Sequence, residues 1–471
     1  MTDTPIIWWV RRDLRLGDNA ALAEAVGMGP VIPVFILDEV FQTYGVAPLW
    51  RFALGAQHLN ETLKDKGSRL IFRKGPALAV LRDIIDATGA CAVRWSRAYD
   101  PDQVARDREV KEGLADDGID AKSLPGHVLF EPWTVETQSG GFYKVFTPYW
   151  RNVKDREVAP RRSAPPDIPA PGSWPDSDDP DDWDLAGPMF RGAEILRKHM
   201  TIGEDAASTR LATFTRTNIE DYEAARDRID LHGTSRMSEH LSWGEISPAS
   251  CWHAGLRAME DGKSGAETFL KELVWRDFAY HLAWHTPRLV DANWRDEWDA
   301  FPWNEDERLA EVKAWKQGRT GMALVDAAMR ELWVTGYMHN RARMNVASYL
   351  TKHLMCHWRI GQEWFEDCLI DWDPASNALG WQWAAGSGPD AAPFFRVFNP
   401  ETQAEKHDPD AEYRRRWIAE GQNAPPETAC DYFDAIPKRW NMQPTDEYPD
   451  PIVSASDGRQ KALDAYDAFK D

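Results

Sequence analysis

The first 130 residues alternate between short apolar runs and longer segments of helical character, which restricts the possible folds strongly. The apolar runs are Ile6–Val10, Val31–Leu37, Arg69–Phe72 and Ala92–Ser96. The helix-like segments between and after them are Asn19–Val26, Leu49–Lys66, Pro76–Ala87 and Asp102–Leu114. Strands and helices that alternate at this spacing form right-handed βαβ units, so we predict a Rossmann-like parallel sheet in an α/β domain, residues 1–130. No GxGxxG or Walker loop follows the first run, so the usual dinucleotide site is not predicted there.

The next stretch has a composition that does not build a core. Residues 165–188 contain seven prolines and seven aspartates, and no lysine or arginine. Such a segment buries too little apolar surface to fold by itself. We therefore predict an interdomain linker, residues 131–200, that runs over the surface.

From about residue 200 onward the apolar residues follow a helical period. Val325, Ala328, Met329 and Leu332 stand at i, i+3, i+4 and i+7, and Gly336 follows as a helix stop. Thr268–His285 and Met338–Leu354 show the same period. The sequence thus predicts an all-α domain, residues 201–471.

Composition excludes several classes of protein. The 55 basic and 76 acidic residues give a net charge of −21, which argues against a uniformly basic nucleic-acid binder but allows a local basic groove. Five scattered cysteines without a CxxC pair argue against a disulfide scaffold, a cysteine zinc site and an iron–sulfur cluster. No apolar run reaches the roughly 20 residues of a membrane span, and no signal sequence is evident. We expect a cytoplasmic protein that does not bind membranes.

Two segments have the residues of a ligand site. Gly233–His240 places Gly, Thr and Ser beside Arg236 before an apolar run, where backbone N–H groups and hydroxyls would bind a phosphate. Plain helix capping is the commoner explanation of that segment alone. Asp371–Trp383 holds two aspartates, Asn377 and two further tryptophans around Gly380. Its carboxylates would accept hydrogen bonds from a ribose or a heterocycle, and the alternative is an Asx-capped turn.

Two groups of three residues, each on one predicted helix, have side chains that suit a site where a base stacks and a phosphate binds. Glu272, Trp275 and Arg276 share one helix face, and Asn340 and Met344 share another, with Arg341 alongside. A surface ion pair with a core tryptophan explains the first triplet equally well. The pairs His281/His285 and His353/His357 have metal-ligand spacing without an HExxH glutamate or a third ligand, so no metal site is predicted.

Taken together, these motifs resemble the photolyase/cryptochrome family, and within it the bacterial cyclobutane pyrimidine dimer photolyases. The resemblance extends over nearly the whole chain. It is carried by Trp9–Asn19, Gly233–Ser238, residues 320–344, Gly380–Ala385 and Phe394–Pro400. It implies an α/β antenna domain and an all-α C-terminal domain that binds FAD and DNA.

The resemblance also implies roles for individual residues. FAD would be bound by Tyr222, Thr234, Ser235, Arg236, Met237, Ser238, Phe269, Asp371, Trp372, Asp373 and Asn377. The flipped dimer would be bound by Glu272, Trp275, Asn340, Met344 and Trp383, with Gln403 as a further DNA contact. DNA phosphates would be bound by Arg226, Arg276, Arg341 and Arg396. Trp381, Trp358 and Trp303 would conduct electrons to the flavin, and Asn377 would face its N5 atom.

The implied activity is light-driven DNA repair by a carbon–carbon lyase. Reduced, photoexcited FAD would give an electron to a cyclobutane pyrimidine dimer flipped out of UV-damaged DNA. We expect a monomer without an obligate protein partner. A second, antenna chromophore remains open between methenyltetrahydrofolate, a deazaflavin, a flavin and none, because Asp102 and Gln103 stand where folate-binding relatives carry Asn-Glu.

Three other functions remain as alternatives. Animal-type repair of (6-4) photoproducts uses pocket histidines, whereas Asn340 and Met344 stand at those places here. A cryptochrome would signal without repair, but only a short stretch follows the homologous region, and Asn377 is typical of photolyases. A light-independent flavoprotein oxidoreductase would need a hydride-donor nucleotide site, which no motif indicates.

Overall fold

The computed structural model describes residues 4–390 and 393–470, and its N-terminal part contains a parallel sheet. The strands are β1 Ile6–Val10, β2 Val31–Leu37, β3 Ile71–Lys74, β4 Ala92–Ser96 and β5 Asp120–Leu124. Their order is β3-β2-β1-β4-β5, and Ile6 pairs with Val31 on one side and Ala92 on the other. The predicted α/β class is therefore confirmed.

The sequence analysis missed β5 and placed β3 two residues early. β1, β2 and β4 are buried along their whole length, so their apolar runs mark them clearly. β5 is an edge strand whose Asp120 and Lys122 alternate with less exposed residues. A half-exposed edge strand needs no continuous apolar run, which explains why the search for such runs overlooked it.

α-Helices flank the sheet and hold about half of the described residues outside it. They are α1 Ala20–Met28, α2 Val46–Lys64, α3 Ala77–Thr88, α4 Pro101–Asp116, α5 Phe146–Val153, α6 Gly192–Arg197, α7 Glu204–Thr217, α8 Tyr222–Ala225, α9 Ser238–Trp243, α10 Pro248–Glu260, α11 Ala266–His285, α12 Ala310–Lys316, α13 Ala323–Thr335, α14 Asn340–Ser348, α15 Trp358–Cys368, α16 Pro374–Ala385, α17 Pro400–His407, α18 Glu412–Trp417, α19 Glu427–Ala435 and α20 Ala455–Lys470. No helix in the described parts of the chain is long and apolar enough to cross a membrane.

Two details of the helical part bear on the predictions. Gly336 ends α13 with a φ of 64°, the left-handed conformation expected of a glycine stop. The helix predicted over Met338–Leu354 is instead α14 followed by a π-helical turn, Tyr349–His353.

The segment predicted as a linker has two different parts. Phe146 at the start of α5 stacks on Trp275 of α11, so this part packs into the helical core. Residues 165–188 form an exposed strap along the α/β domain, where the Val31 N–H donates to the Pro169 carbonyl at 2.7 Å. The division into 1–130, 131–200 and 201–471 stays a prediction.

The loop after β1 joins the two halves of the molecule. Arg12, buried at its end, donates through Nε to the Ser242 carbonyl at 2.7 Å and through Nη2 to Asp373 Oδ2 at 3.0 Å. Gly244, with a φ of 68°, lies against the same loop, and a Cβ there would stand 2.1 Å from the Arg12 carbonyl oxygen. Only glycine allows the two backbones to approach this closely.

A second arginine crosses the same interface. Arg51 of α2 is fully buried and donates to Glu239 Oε1 at 2.6 Å and to Glu245 Oε2 at 2.8 Å. Burial would raise the pKa of Glu245, but Arg51 and a hydrogen bond from His240 overcome this and hold the pKa at about 2. The interface therefore contains buried charges that are paired across it.

We expect Arg51→Met to destabilise the protein by about 3–5 kcal/mol, because it leaves two buried carboxylates without their cation. The matched control is Lys64→Met on the same helix. Lys64 pairs with Glu61 in solvent, where a pair contributes about 0.5 kcal/mol. Denaturant unfolding at neutral pH measures both losses, and equal losses would contradict the interpretation.

The pH dependence of this loss follows from the depressed pKa of Glu245. A carboxylate with a lowered folded pKa stabilises the fold above its unfolded pKa and loses that contribution as pH falls through the folded value. Without Arg51, Glu245 is protonated more readily. The difference between wild type and Arg51→Met should therefore shrink from pH 7 towards pH 4.

Candidate functional site

A cavity of about 580 Å³ opens in the helical part of the molecule, between α8, α9, α11, α14, α15 and α16. Most of the predicted site residues line it. They are Tyr222, Arg226, Thr234, Ser235, Arg236, Met237, Ser238, Phe269, Glu272, Trp275, Arg276, Asn340, Arg341, Met344, Asp371, Asp373, Asn377, Trp381 and Trp383. Residues that are far apart in sequence thus meet in one space, of a size typical of cofactor sites.

One end of the cavity suits a phosphate. Ser238 begins α9, and the helix start has no side-chain cap from any described residue, so capping does not explain the Gly233–Ser238 segment. Arg236 has a φ of 50° and holds its guanidinium 4.2 Å from the centre of the Tyr337 ring. Its Nε is buried without a hydrogen-bond partner in the described structure. A free guanidinium donor beside hydroxyls fits a pyrophosphate.

Two carboxylates lie further along the wall. Asp371 accepts hydrogen bonds from Arg343 Nη2 at 2.7 Å and from Ser238 Oγ at 2.6 Å. Asp373 accepts the Ser376 N–H at 2.9 Å and so caps α16, while its other oxygen is held by Arg12. Burial would raise the pKa of Asp373, but the charges of Arg12 and Arg276 overcome it and lower the pKa. Asp373 is therefore both the predicted cap and part of the cavity wall.

One face of α16 forms the middle of the cavity. Asn377, Gly380 and Trp381 lie at i, i+3 and i+4 on that face. The Asn377 amide nitrogen donates to the Gln362 carbonyl at 3.2 Å. A Cβ added to Gly380 would meet no described atom within 4 Å. The backbone there is open to close approach by a flat molecule, which fits the predicted flavin.

The opposite wall presents the residues predicted for the dimer. Trp275 is backed by the Phe146 ring, whose centre is 3.8 Å from its own at an interplanar angle of 7°. On α14, Asn340 approaches Met344, with 3.9 Å between the amide nitrogen and the sulfur. Burial raises the pKa of Glu272, and the neighbouring Arg226 opposes that rise.

The arginines predicted to bind phosphates are in different situations. Arg276 turns inward and donates to the His127 carbonyl at 2.6 Å, with only 11% of its side chain exposed. This contact makes it a support of the α/β interface in the described conformation rather than a free phosphate ligand. Arg226 pairs with Glu272, and Arg341 pairs with Asp227 at 2.5 Å. Arg396 is exposed on the loop before α17, beyond the cavity wall.

The three predicted electron-transfer tryptophans form a path from the cavity. Trp381 lies on the cavity wall, and Gly361 of α15 is so close that a Cβ there would stand 2.0 Å from its ring. Trp358 is one helical turn from Gly361 and donates to Asn293 Oδ1 at 2.8 Å. His357 connects it with Trp303, with ring centres 5.3 and 5.4 Å from theirs.

Two further predicted residues lie off the cavity wall. Trp372 packs edge-on against Tyr44, with ring centres 4.7 Å apart, so its side chain points away from the cavity and towards the α/β domain. Gln403 lies on α17, with its side-chain oxygen buried and unpaired among the described residues. The sequence analysis missed Arg12 and Arg343, whose acidic partners are distant in sequence.

The chain was then compared with known proteins. It matches the family DNA photolyase over residues 6–171 and the FAD binding domain of DNA photolyase over residues 269–468. A deoxyribodipyrimidine photo-lyase from Agrobacterium fabrum is 43% identical, over 99% of this chain and 98% of the relative. The chain belongs to the DNA photolyase family.

Solved photolyase structures agree with this assignment. A bacterial class III photolyase from Agrobacterium tumefaciens superimposes with a TM-score of 0.91 at 42% identity, covering 100% of this chain and 98% of that one. A cryptochrome from Synechocystis superimposes with a TM-score of 0.82 at 27% identity, covering 98% and 100%. The predicted family, fold class, FAD cofactor and light-driven DNA repair are confirmed at the level of the photolyase family.

The photolyase fold contains a second cavity, of about 420 Å³, on the other side of α15. Trp333, Trp364 and Trp440 form its aromatic wall, with Trp333 and Trp364 stacked at 5.5 Å and 17°. Lys316 lies 5.2 Å from the centre of the Trp364 ring. The neighbouring Phe365 lines the first cavity, so a single helix separates the two spaces.

The carboxyl edge of the photolyase sheet, by contrast, is filled. Parallel sheets bind ligands where the strand order reverses, here between β1 and β4. Arg11 and Arg106 occupy this edge, each stacked on the Trp9 ring, with Asp38 and Asp107 as their partners. These buried ion pairs leave room for about 10 Å³, roughly one water molecule.

Proposed function

We propose that this photolyase splits cyclobutane pyrimidine dimers in UV-damaged DNA, with FAD and the flipped dimer side by side in the 580 Å³ cavity. The supporting observation is that one continuous cavity has two kinds of wall. One wall carries hydroxyl groups, an arginine and carboxylates that suit FAD, and the other carries aromatic and amide side chains that suit a dimer. FAD, when bound, reduced and excited by blue light, supplies the electron that opens the cyclobutane ring. We further infer a monomer that works in the cytoplasm.

The residues at the first wall bind and orient FAD in this proposal. Thr234, Ser235 and Arg236 contact the pyrophosphate, because hydroxyls and a free guanidinium donor suit anionic oxygens. Asn377 directs its amide oxygen into the cavity, since its nitrogen already donates to Gln362. Tyr222 and Phe269 cover the remaining apolar surface with their rings.

The residues at the second wall bind the dimer. A dimer is poorly stacked in DNA, so it costs less to flip out than an intact base pair. Trp275 and Trp383 offer ring faces to the two pyrimidines, and Asn340 offers an amide to their polar edges. Once a dimer displaces Arg226 from Glu272, burial of this carboxyl group favours its protonated form, which donates a hydrogen bond to a dimer carbonyl as negative charge develops there.

We expect repair to require light and to depend on Glu272. Glu272→Ala should lower the number of dimers split per absorbed photon more than it weakens dimer binding, because the hydrogen bond strengthens with the extra electron. Glu267→Ala is the matched control, since Glu267 is exposed on the same helix and pairs with Lys271 in solvent. Repair assays in light and dark, with binding measured separately, check this.

The outcomes separate the alternatives. Splitting in the dark contradicts the photolyase mechanism. Bound FAD with light-induced reduction but no repair of either photoproduct indicates a cryptochrome, and repair restricted to (6-4) photoproducts indicates the animal-type activity. If Glu272→Ala lowers dimer affinity and the number of dimers split per absorbed photon by the same factor, Glu272 acts only in binding the dimer.

We expect Trp358→Phe to block photoreduction of oxidised FAD without blocking repair. Phenylalanine retains most of the packing area but is much harder to oxidise, so electrons no longer pass from Trp303 to Trp381. Absorption of FAD under blue light with an external reductant measures the rate. Chemically reduced Trp358→Phe should split dimers at the wild-type yield.

A parallel path is tested in the same experiment. Trp315 lies 6.0 Å from Trp381, ring centre to ring centre. If Trp358→Phe reduces normally and Trp315→Phe does not, the electrons travel through Trp315. Normal rates in both single variants, with loss in the double variant, show that both routes conduct.

We also place a second chromophore in the 420 Å³ cavity rather than at the filled sheet edge. Methenyltetrahydrofolate, deazaflavin and flavin cofactors have flat conjugated rings, which this cavity would stack on its tryptophan faces, and Lys313, Lys316 and Arg439 lie beside these faces for anionic side groups. Its separation from the FAD cavity by one helix allows efficient energy transfer.

The antenna proposal predicts that Trp364→Ala loses energy transfer to FAD. The protein is reconstituted with each of the three chromophores, and the repair rate is measured against excitation wavelength. Trp174→Ala, which removes a tryptophan from the surface strap, is the control. A chromophore band that persists in Trp364→Ala contradicts this placement.

A further inference from the structure

Two arginines at the mouth of the FAD cavity are already bound to carboxylates of the protein itself. Arg226 donates through Nη1 to Glu272 Oε1, and Arg341 donates through Nη2 to Asp227 Oδ2 at 2.5 Å. Arg226 Nε also lies 4.0 Å from Asp227 Oδ1. These four side chains, which we call the mouth array, alternate in sign and have no net charge.

The mouth array occupies the groups that would bind DNA. A guanidinium fork fits a carboxylate and a phosphate in the same way, so the two compete for it. The array is open to solvent and therefore to a phosphate, since 19% of the Arg341 side chain and 39% of the Asp227 side chain are exposed. Arg341 Nε is buried and has no hydrogen-bond partner within the described structure, so Asp227 does not satisfy every donor of this guanidinium.

Undamaged and damaged DNA act differently on this array. An intact duplex offers phosphates but keeps its bases stacked, so nothing replaces Arg226 as the partner of Glu272. A dimer inside the cavity offers pyrimidine carbonyl and imide groups to Glu272, which lines that cavity. Engagement of Glu272 by the dimer releases Arg226 to Asp227, which lies 4.0 Å from its Nε, and this frees Arg341 for a phosphate, so the two binding events support each other.

We propose that Asp227 is a specificity-determining residue, whose carboxylate stands in for a DNA phosphate on Arg341 and limits the binding of undamaged DNA. The inference rests on the proposed function, because it takes Glu272 as the contact of a flipped dimer. On an undamaged duplex Arg341 stays paired with Asp227, whereas a dimer in the cavity lets Asp227 pair with Arg226 and leaves Arg341 free for a phosphate.

The test is Asp227→Asn in the FAD-loaded protein, with the affinities for undamaged and dimer-containing duplexes of equal length. Affinity for the undamaged duplex should rise about five-fold, the equivalent of one partly exposed ion pair. Affinity for the damaged duplex should rise less than two-fold, so the selectivity falls. The slope of log K against log salt on undamaged DNA should steepen by about 0.9, for one additional phosphate neutralised.

Glu223→Gln is the matched control. Glu223 is exposed on the short helix α8, four residues before Asp227, and forms no ion pair within the described residues. It removes one negative charge, as Asp227→Asn does, without releasing an arginine. Both affinities should rise by the same factor, which leaves the selectivity at the wild-type value. FAD absorption and melting temperature verify that each variant is folded.

A selectivity in Asp227→Asn equal to that of wild type overturns the inference. Weaker binding to both duplexes also overturns it, because Asp227 would then position Arg341 for DNA rather than compete with DNA. If Asp227→Asn does not fold, Asp227→Ser gives the same comparison. A wild-type protein without preference for dimers contradicts the proposed function itself, and this is seen before any variant is compared.

Discussion

The geometry of the cavity depends on one buried guanidinium of the α/β part, which binds a residue of the cavity wall from behind. Arg12 stands after β1 and donates to the Ser242 carbonyl, to the Tyr280 hydroxyl at 3.1 Å and to Asp373. Asp373 in turn caps α16, the helix that presents Asn377 and Trp381 to the cavity. A buried carboxylate without its cation is strongly unfavourable. The orientation of α16 is therefore set by a residue more than 300 positions earlier in the chain.

Arg51 extends the same principle to the phosphate end of the cavity. Its partners Glu239 and Glu245 follow the Gly233–Ser238 segment directly, so the loop that would bind the pyrophosphate is held from the α/β side. Separation of the α/β and helical parts would break these ion pairs and leave the charges without partners. An interface that contains buried ion pairs therefore resists hinge motion. The cavity is thus formed before a ligand arrives, which limits the ordering cost of binding FAD.

Local signals explain which parts of the molecule were predictable. β1, β2 and β4 are buried along their whole length and rich in apolar residues, and α13 ends at a glycine, so sequence alone located them. The exposed β5 had no such signal. Contiguous motifs identified both ends of the cavity, but the pairs Arg12–Asp373 and Arg341–Asp227 join residues 361 and 114 positions apart. No periodicity relates such partners, and the tryptophan path was predicted from the family resemblance alone.

The charge of the protein is consistent with this view of its site. A net charge of −21 does not attract DNA from a distance, and seven of the acidic residues lie in the strap at 165–188, along the α/β domain. At the cavity mouth, Arg226 and Arg341 are matched by Glu272 and Asp227. In the recognition that we propose, a phosphate replaces a carboxylate rather than adding a new ion pair. Because of this exchange, the free energy of DNA binding depends on whether a dimer enters the cavity. This dependence allows the protein to select a rare dimer from a large excess of intact DNA.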